Sequence, residues 1–320
     1  MYLPPPCALQ SYVKWLEMAG ARVVPLSFHA SDAETDSIFE QADGALFSGG
    51  GGDVPPSARR IYSRAVAAHA KGESFPIWGT CDGFEWLMQI GAADDAVLTA
   101  GFDSENISLP LNFTDAAAQS RLLADAADTP VQGMRPQLSV LNALATLPLT
   151  LNNHHQGVTP SDFEKSKLPA VFQVLATNVD RKGRPFVSVV EGKGGLAIWA
   201  TQFHPEKNIF EQGQTGAGLA FEAISHSLAA VAVSQYMANF FVLQVRGSRH
   251  SYSSATALKS ELFYGDKTST ALAPAFVQVY ILKDGREHQQ QGELPPPHDR
   301  EEPISITDNA WLEKTVQQQI

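Results

Sequence analysis

An α/β fold is what this sequence predicts, with a mostly parallel central sheet covered on both faces by helices as a three-layer sandwich. Three observations carry the prediction. Strand-like apolar runs alternate with helical periods along the chain. The run at 196–203 is almost continuously apolar, as a strand buried on both faces must be. Gly79-Thr80-Cys81-Asp82-Gly83 has a small residue on each side of its centre, which lets a strand turn sharply into a helix.

The elements follow in order. Residues 8–19 place Leu9, Tyr12, Val13 and Leu16 on one helical face, and Gly20 ends the run. Residues 22–26 and 44–48 read as short strands, the second leading into Gly49-Gly50-Gly51-Gly52. Residues 75–79 form a third, which enters the turn at Cys81. The helix after it turns Phe84, Leu87 and Met88 inward and stops near Gly91. The stretch 101–168 is less regular. Strands are expected at 171–175, 186–190 and 196–203. A long helix over 227–246 buries Val233, Tyr236, Met237, Phe240 and Phe241 and precedes Gly247, and 276–282 reads as a closing strand. Beyond about 285 the chain is rich in Gln, Pro and charge. A folded domain is therefore expected over 1–284 and a mobile polar tail over 285–320.

Composition narrows the function. The 320 residues are 44% hydrophobic, enough for a packed core. A net charge of −11 repels nucleic acid, so an anionic ligand needs a locally basic pocket. No apolar run approaches the ~20 residues of a membrane span, and residues 1–10 show no signal peptide. Two cysteines, Cys7 and Cys81, make neither a disulfide framework nor a cysteine-based metal site.

The chemistry centres on Cys81. At the tip of a strand-to-helix turn it lies over the positive end of a helix, which favours the thiolate, the attacking species. His204 comes at the C-terminal end of the 196–203 strand, where catalytic groups of open α/β sheets collect. Glu206, two positions on, can orient the imidazole and stabilise its charged form. Cys7 has no such context and reads as structural or incidental, and Glu85 reads as structural. The four glycines at 49–52 make a weak phosphate cradle, since no Gly-Lys-Ser/Thr follows. His154 and His155 are adjacent, but no third ligand is evident, so no metal and no cofactor are assigned. Arg121, Arg181, Lys182, Arg184 and Lys207 are candidate contacts for an anionic substrate, each against a background of solvated surface charge.

With the elbow, the glycine loop and His204-Pro205-Glu206 in place, the chain resembles the class I glutamine amidotransferase-like superfamily, which has a flavodoxin-like sheet. More narrowly it is similar to the gamma-glutamyl hydrolases, the folate polyglutamate hydrolases. The similar stretches are 11–25, 75–85, 109–114 and 202–207, with weaker similarity to about residue 284. The resemblance implies that Cys81 is the nucleophile, His204 the general acid and base, Glu206 its orienting carboxylate and His154 a substrate-binding residue. It implies cysteine-dependent hydrolysis of γ-glutamyl bonds in folylpoly-γ-glutamates, a small polyanionic substrate, through a γ-glutamyl thioester. The oxyanion needs two preorganised donors, and the backbone N–H groups of Gly50 and Asp82 are the candidates, each worth roughly 3–4 kcal/mol of barrier. The resemblance further implies a homodimer and a place in the lysosome or vacuole or outside the cell. Asn106-Ile107-Ser108 and Asn112-Phe113-Thr114 have the glycosylation acceptor pattern.

Two departures stand out. The family usually carries an apolar residue where this chain has Asp82, whose carboxylate is expected to raise the thiol pKa and repel an oxyanion. Family members also begin with a strand before the first helix. This chain shows none, which predicts a central sheet missing its first strand and an N-terminally truncated chain. Two alternatives remain open: a glutaminase that passes ammonia to a synthetase, and an inactive homologue or binding protein.

Overall fold

The computed structural model describes residues 7–281, apart from 135, 216, 249, 264–265 and 271–275. The expected tail over 285–320 lies outside the described residues. Strand β1 (Cys7–Leu9) leads directly into helix α1 (Gln10–Met18). Helix α2 (Asp32–Gln41) starts at a capping box: the Ser31 hydroxyl accepts from the Glu34 amide, and the Glu34 carboxylate accepts from the Ser31 amide. Strand β2 (Ala45–Phe47), helix α3 (Pro56–Ala70, with Pro56 in its first turn), strand β3 (Ile77–Thr80) and helix α4 (Asp82–Ala92) follow.

The irregular middle is a long antiparallel ribbon. Strand β4 (Thr99–Leu109) pairs with β6 (Thr150–Gly157), with β5 (Asn112–Phe113) and helix α5 (Val140–Thr146) between them. Register shifts after Ala100 and Ser104 interrupt the alternation of β4, which is why its apolar period is hard to read. Helix α6 (Pro160–Lys165), strand β7 (Phe172–Val179), strand β8 (Pro185–Gly192) and strand β9 (Ile198–Thr201) complete this half. A one-turn helix, α7 (Lys207–Phe210), precedes α8 (Leu228–Val245), capped by the Ser227 hydroxyl, then α9 (Ala255–Glu261), β10 (Lys267–Ser269) and β11 (Val279–Ile281).

The central sheet has the order β2-β3-β9-β8-β7-β5. Strands β2, β3 and β9 are parallel neighbours, and β8, β7 and β5 add antiparallel, so four of six strands point one way. Alternate side chains split between two cores, as the pleat dictates. Trp78 and Trp199 pack on one face with Trp15 of α1, Ala143 of α5 and Met237 and Phe241 of α8. Ile77 and Ile198 pack on the other with Phe39 of α2, Ile61 of α3, Phe84 and Leu87 of α4 and Phe163 of α6. Helix α8 has the length and mean hydropathy of a membrane span, yet Val233, Met237 and Phe241 are buried in this core.

Two expectations change. Residues 22–26 form no strand, because the sheet ends at β2 and offers them no ladder. A strand does precede the first helix, but β1 pairs antiparallel with β11 in a separate small sheet of order β1-β11-β10. The expected closing strand, now β11, belongs to that sheet too.

Helix α4 lies so close to β2 and β3 that only glycine fits at two contacts. A Cβ on Gly79 would stand 2.6 Å from the Gly83 carbonyl oxygen, and one on Gly83 would collide with the Phe47 carbonyl. Gly83→Ala is therefore expected to lower the unfolding free energy by about 3 kcal/mol, read as an earlier urea midpoint. An unchanged midpoint would contradict this packing.

Candidate active site

The parallel register pairs Thr80 with Thr201, so Cys81 and His204 both leave the sheet at the same end of neighbouring strands. Cys81 turns the chain at φ 54° and ψ −109°, a conformation that costs a non-glycine residue about 1–3 kcal/mol. Two bonds hold it there: its N–H donates to the Thr201 carbonyl at 2.9 Å, and its carbonyl accepts the Glu85 N–H at 3.0 Å. Gly49 separates it from the histidine. A Cβ on Gly49 would lie 3.1 Å from Cys81 Cβ and 3.0 Å from His204 Cε1. The cysteine and imidazole are thus within about 6 Å of each other across one glycine, a gap that the thiol and a side-chain rotation close.

His204 is buried, and its Nδ1 donates to Glu206 Oε1 at 2.8 Å. That bond fixes the proton on Nδ1 and leaves Nε2 as the free base. Glu206 is fully buried. Tyr12, which the helical pattern marks only as part of an apolar face, proves to be part of the site. Its hydroxyl lies 3.3 Å from His204 Nδ1 and accepts the Gly49 N–H at 2.8 Å. Burial first, then the charge of Glu206, holds its phenol far above the ordinary value. A tyrosine at a helical repeat position gives no local signal of such a role.

The charge around the thiol opposes the expected thiolate, and Asp82 acts on it as its carboxylate predicts. Burial first, then Asp82 and Glu85, push the Cys81 thiol well above its ordinary value, while Lys207 pulls it down. Helix α4 carries Asp82 and Glu85 in its first turn, and the Asp82 charge offsets the positive helix end. Burial and Asp82 push Glu85 up to about 8, so it is mostly protonated at neutral pH, and Gln202 donates to it at 3.0 Å. Asp82 is itself raised by burial. At rest Cys81 is a neutral thiol, with the imidazole of His204 across Gly49 as a group that can take its proton.

The other expected residues divide. Gly50 is exposed and a Cβ on it would meet nothing within 4 Å, so the loop opens at that point. The Asp82 N–H is a first-turn amide with no partner inside its helix. His154 is buried against Phe186 and Phe102; its Nδ1 bonds the Gln156 carbonyl at 2.6 Å, and burial pushes its pKa down to about 4. His155, next along the strand, faces the other way and is exposed, so the two do not converge on one ion. Lys207 is 1% exposed and bonds both Glu222 oxygens, at 2.7 and 2.6 Å, over the ring of Phe276. It is therefore committed to a buried ion pair, and reaches the site as charge rather than as a free contact.

Arg121 is not brought to the site. It bonds buried Glu191 and the carbonyls of Gly195 and Leu196, before β9 begins, at the opposite end of the strand from His204. Arg181 and Arg184 bond Asp103, Asp180 and backbone carbonyls of β4. They fasten the ribbon to the β7–β8 turn, and Lys182 in that turn is exposed.

A buried cysteine at an elbow, an imidazole across one glycine and a carboxylate behind it define a class. The family profile described as "Glutamine amidotransferase class-I" matches residues 8–221. The relatives are narrower. Gamma-glutamyl hydrolase B of Dictyostelium discoideum is 35% identical over 282 residues, 86% of this chain and 76% of its own. The Bos taurus gamma-glutamyl hydrolase is 36% identical over 279 residues, 85% and 81% of the two chains, and gamma-glutamyl hydrolase 1 of Arabidopsis thaliana is 31% identical over 281, 86% and 76%. The chain belongs to the gamma-glutamyl hydrolase family, within the class-I glutamine amidotransferases.

Because the Asp82 charge raises the Cys81 thiol, Asp82→Asn should lower the thiol pKa. Iodoacetamide should then alkylate Cys81 about 3–10-fold faster near neutral pH, as read by mass spectrometry of the Cys81 peptide. An equal or slower rate would show that this charge does not act on the thiol.

Proposed function

We propose that this chain hydrolyses γ-glutamyl amides with Cys81 as nucleophile, and that its substrates are folylpoly-γ-glutamates. The observation that carries the reading is the approach of Cys81 and His204 across Gly49, with Glu206 on Nδ1. The family of the relatives supports the bond cleaved, and the resemblance in the sequence supports the folate tail.

His204 Nε2 takes the thiol proton as sulfur attacks the γ-carbonyl carbon. Charge develops on the carbonyl oxygen, which the N–H groups of Gly50 and Asp82 receive. The C–N bond breaks as His204 returns its proton to the leaving amine, and a γ-glutamyl thioester remains on Cys81. His204 then draws a proton from water, the hydroxide attacks the thioester, and thiol and free γ-carboxylate are released. Glu206 stabilises the imidazolium in both halves. Lys207 tempers the acidic surroundings of the sulfur. His154, neutral and held by Gln156, is proposed to line the substrate cleft rather than to carry charge.

Incubation with a γ-linked pentaglutamate tests the reading. Wild-type protein should release shortened chains; Cys81→Ala and His204→Ala should release none, and Glu206→Gln should be slower by about 10²-fold or more. Hydrolysis of free glutamine with the pentaglutamate untouched would point instead to a glutaminase. No turnover of either, with Cys81 alkylated sluggishly, would point to an inactive homologue.

A further inference from the structure

Three side chains grip the glycine loop at 49–52 beside the nucleophile. Gly49 donates its N–H to Tyr12 Oη at 2.8 Å. Gly52 gives its carbonyl to Trp86 Nε1–H at 3.0 Å. Gly51 lies against Asp82, whose Oδ2 would be 3.8 Å from a Cβ on that glycine, and the Gly51 amide favours the Asp82 carboxylate. Gly50 and Gly52 face open space, and of the two only Gly50 has no side chain bonded to it among the described residues. Gly51 and Gly52 have φ of 117° and 143°, reached at low cost only by glycine, so the loop has few contacts of its own to set its direction.

Two of these three grips come from one place. Asp82 and Trp86 both belong to α4, the helix that Cys81 begins. Trp86 is buried and held edge-on by Phe28 at 5.3 Å and packed by Phe47 of β2 at 6.4 Å. Its ring is therefore fixed, and its N–H is a rigid peg rather than a swinging donor. We infer that Trp86, assisted by Asp82, is a positioning residue: it ties the glycine loop to the nucleophile helix, so that the Gly50 N–H is aimed at the oxyanion before substrate arrives. The inference rests on the proposed hydrolase reading. It also gives Asp82 a use that offsets its cost beside the thiol, because its side chain meets the loop at Gly51.

Such a residue acts on the transition state and not on the thiol. Trp86→Phe keeps an aromatic ring in the pocket but removes the N–H together with part of the indole, so Gly52→Ala separates the lost bond from the lost packing. We expect kcat on the γ-linked pentaglutamate to fall about tenfold with KM within about twofold. The affinity for an N-acylated glutamate γ-semialdehyde, which binds Cys81 as a tetrahedral adduct, should fall by the same factor. Iodoacetamide alkylation of Cys81, which needs no oxyanion donor, should stay within about twofold. Gly52→Ala supplies a second variant with the core untouched. It meets no atom within 4 Å but cannot comfortably hold φ 143°, so it should show the same signature. A kcat unchanged in both variants overturns the inference, and so does an alkylation rate that falls in step with kcat. If wild-type protein turns over no γ-linked substrate, the hydrolase reading fails by itself, and the aldehyde arm still reports on the loop.

Discussion

The turn at Cys81 is the constraint on which the rest of the molecule depends. It holds a side chain at positive φ where an ordinary residue would relax, and the surroundings must over-determine it. They do so with two backbone bonds and two glycines. The Thr201 carbonyl holds the Cys81 amide, so the neighbouring parallel strand is part of the elbow. The same strand carries His204 out of the sheet three residues later. Cys81 and His204 therefore share one structural tie, and the register Thr80 to Thr201 sets their meeting. Gly79 and Gly83 allow helix and strands to approach closely enough for that tie to form.

Electrostatics at the site work by balance rather than by accumulation of positive charge. The carboxylates of Asp82 and Glu206 disfavour a resting thiolate. Against them stand Lys207 and the amides at the start of α4. A thiol kept neutral at rest and ionised, under the proposed mechanism, only as His204 accepts its proton is less exposed to adventitious oxidation or alkylation. The buried ion pair of Lys207 with Glu222 keeps the lysine charge in place without exposing it to solvent.

Much of this was legible in the amino-acid order, for identifiable reasons. The elbow and the His-Pro-Glu run are local patterns, and local geometry enforces them wherever they occur on this sheet. The alternation of Ile77 with Trp78 and of Ile198 with Trp199 between two cores follows from apolar runs bounded by turns. What stayed hidden depends on distant partners. Arg121 looks like any surface cation until Glu191 and two carbonyls claim it. Tyr12 reads as core until the glycine loop, 37 residues on, donates to it. The ribbon β4–β6 escapes because two register shifts break its alternation, and residues 22–26 have strand composition without a neighbour to pair with.

In the proposed reaction one sulfur, that of Cys81, carries the γ-glutamyl group between two steps. Acid quenching during turnover, followed by mass spectrometry of the peptide containing Cys81, tests it most directly. A γ-glutamyl adduct is expected on that cysteine, released by hydroxylamine as a thioester would be. Rapid turnover with Cys81 never acylated, or with the adduct on another residue, would contradict it.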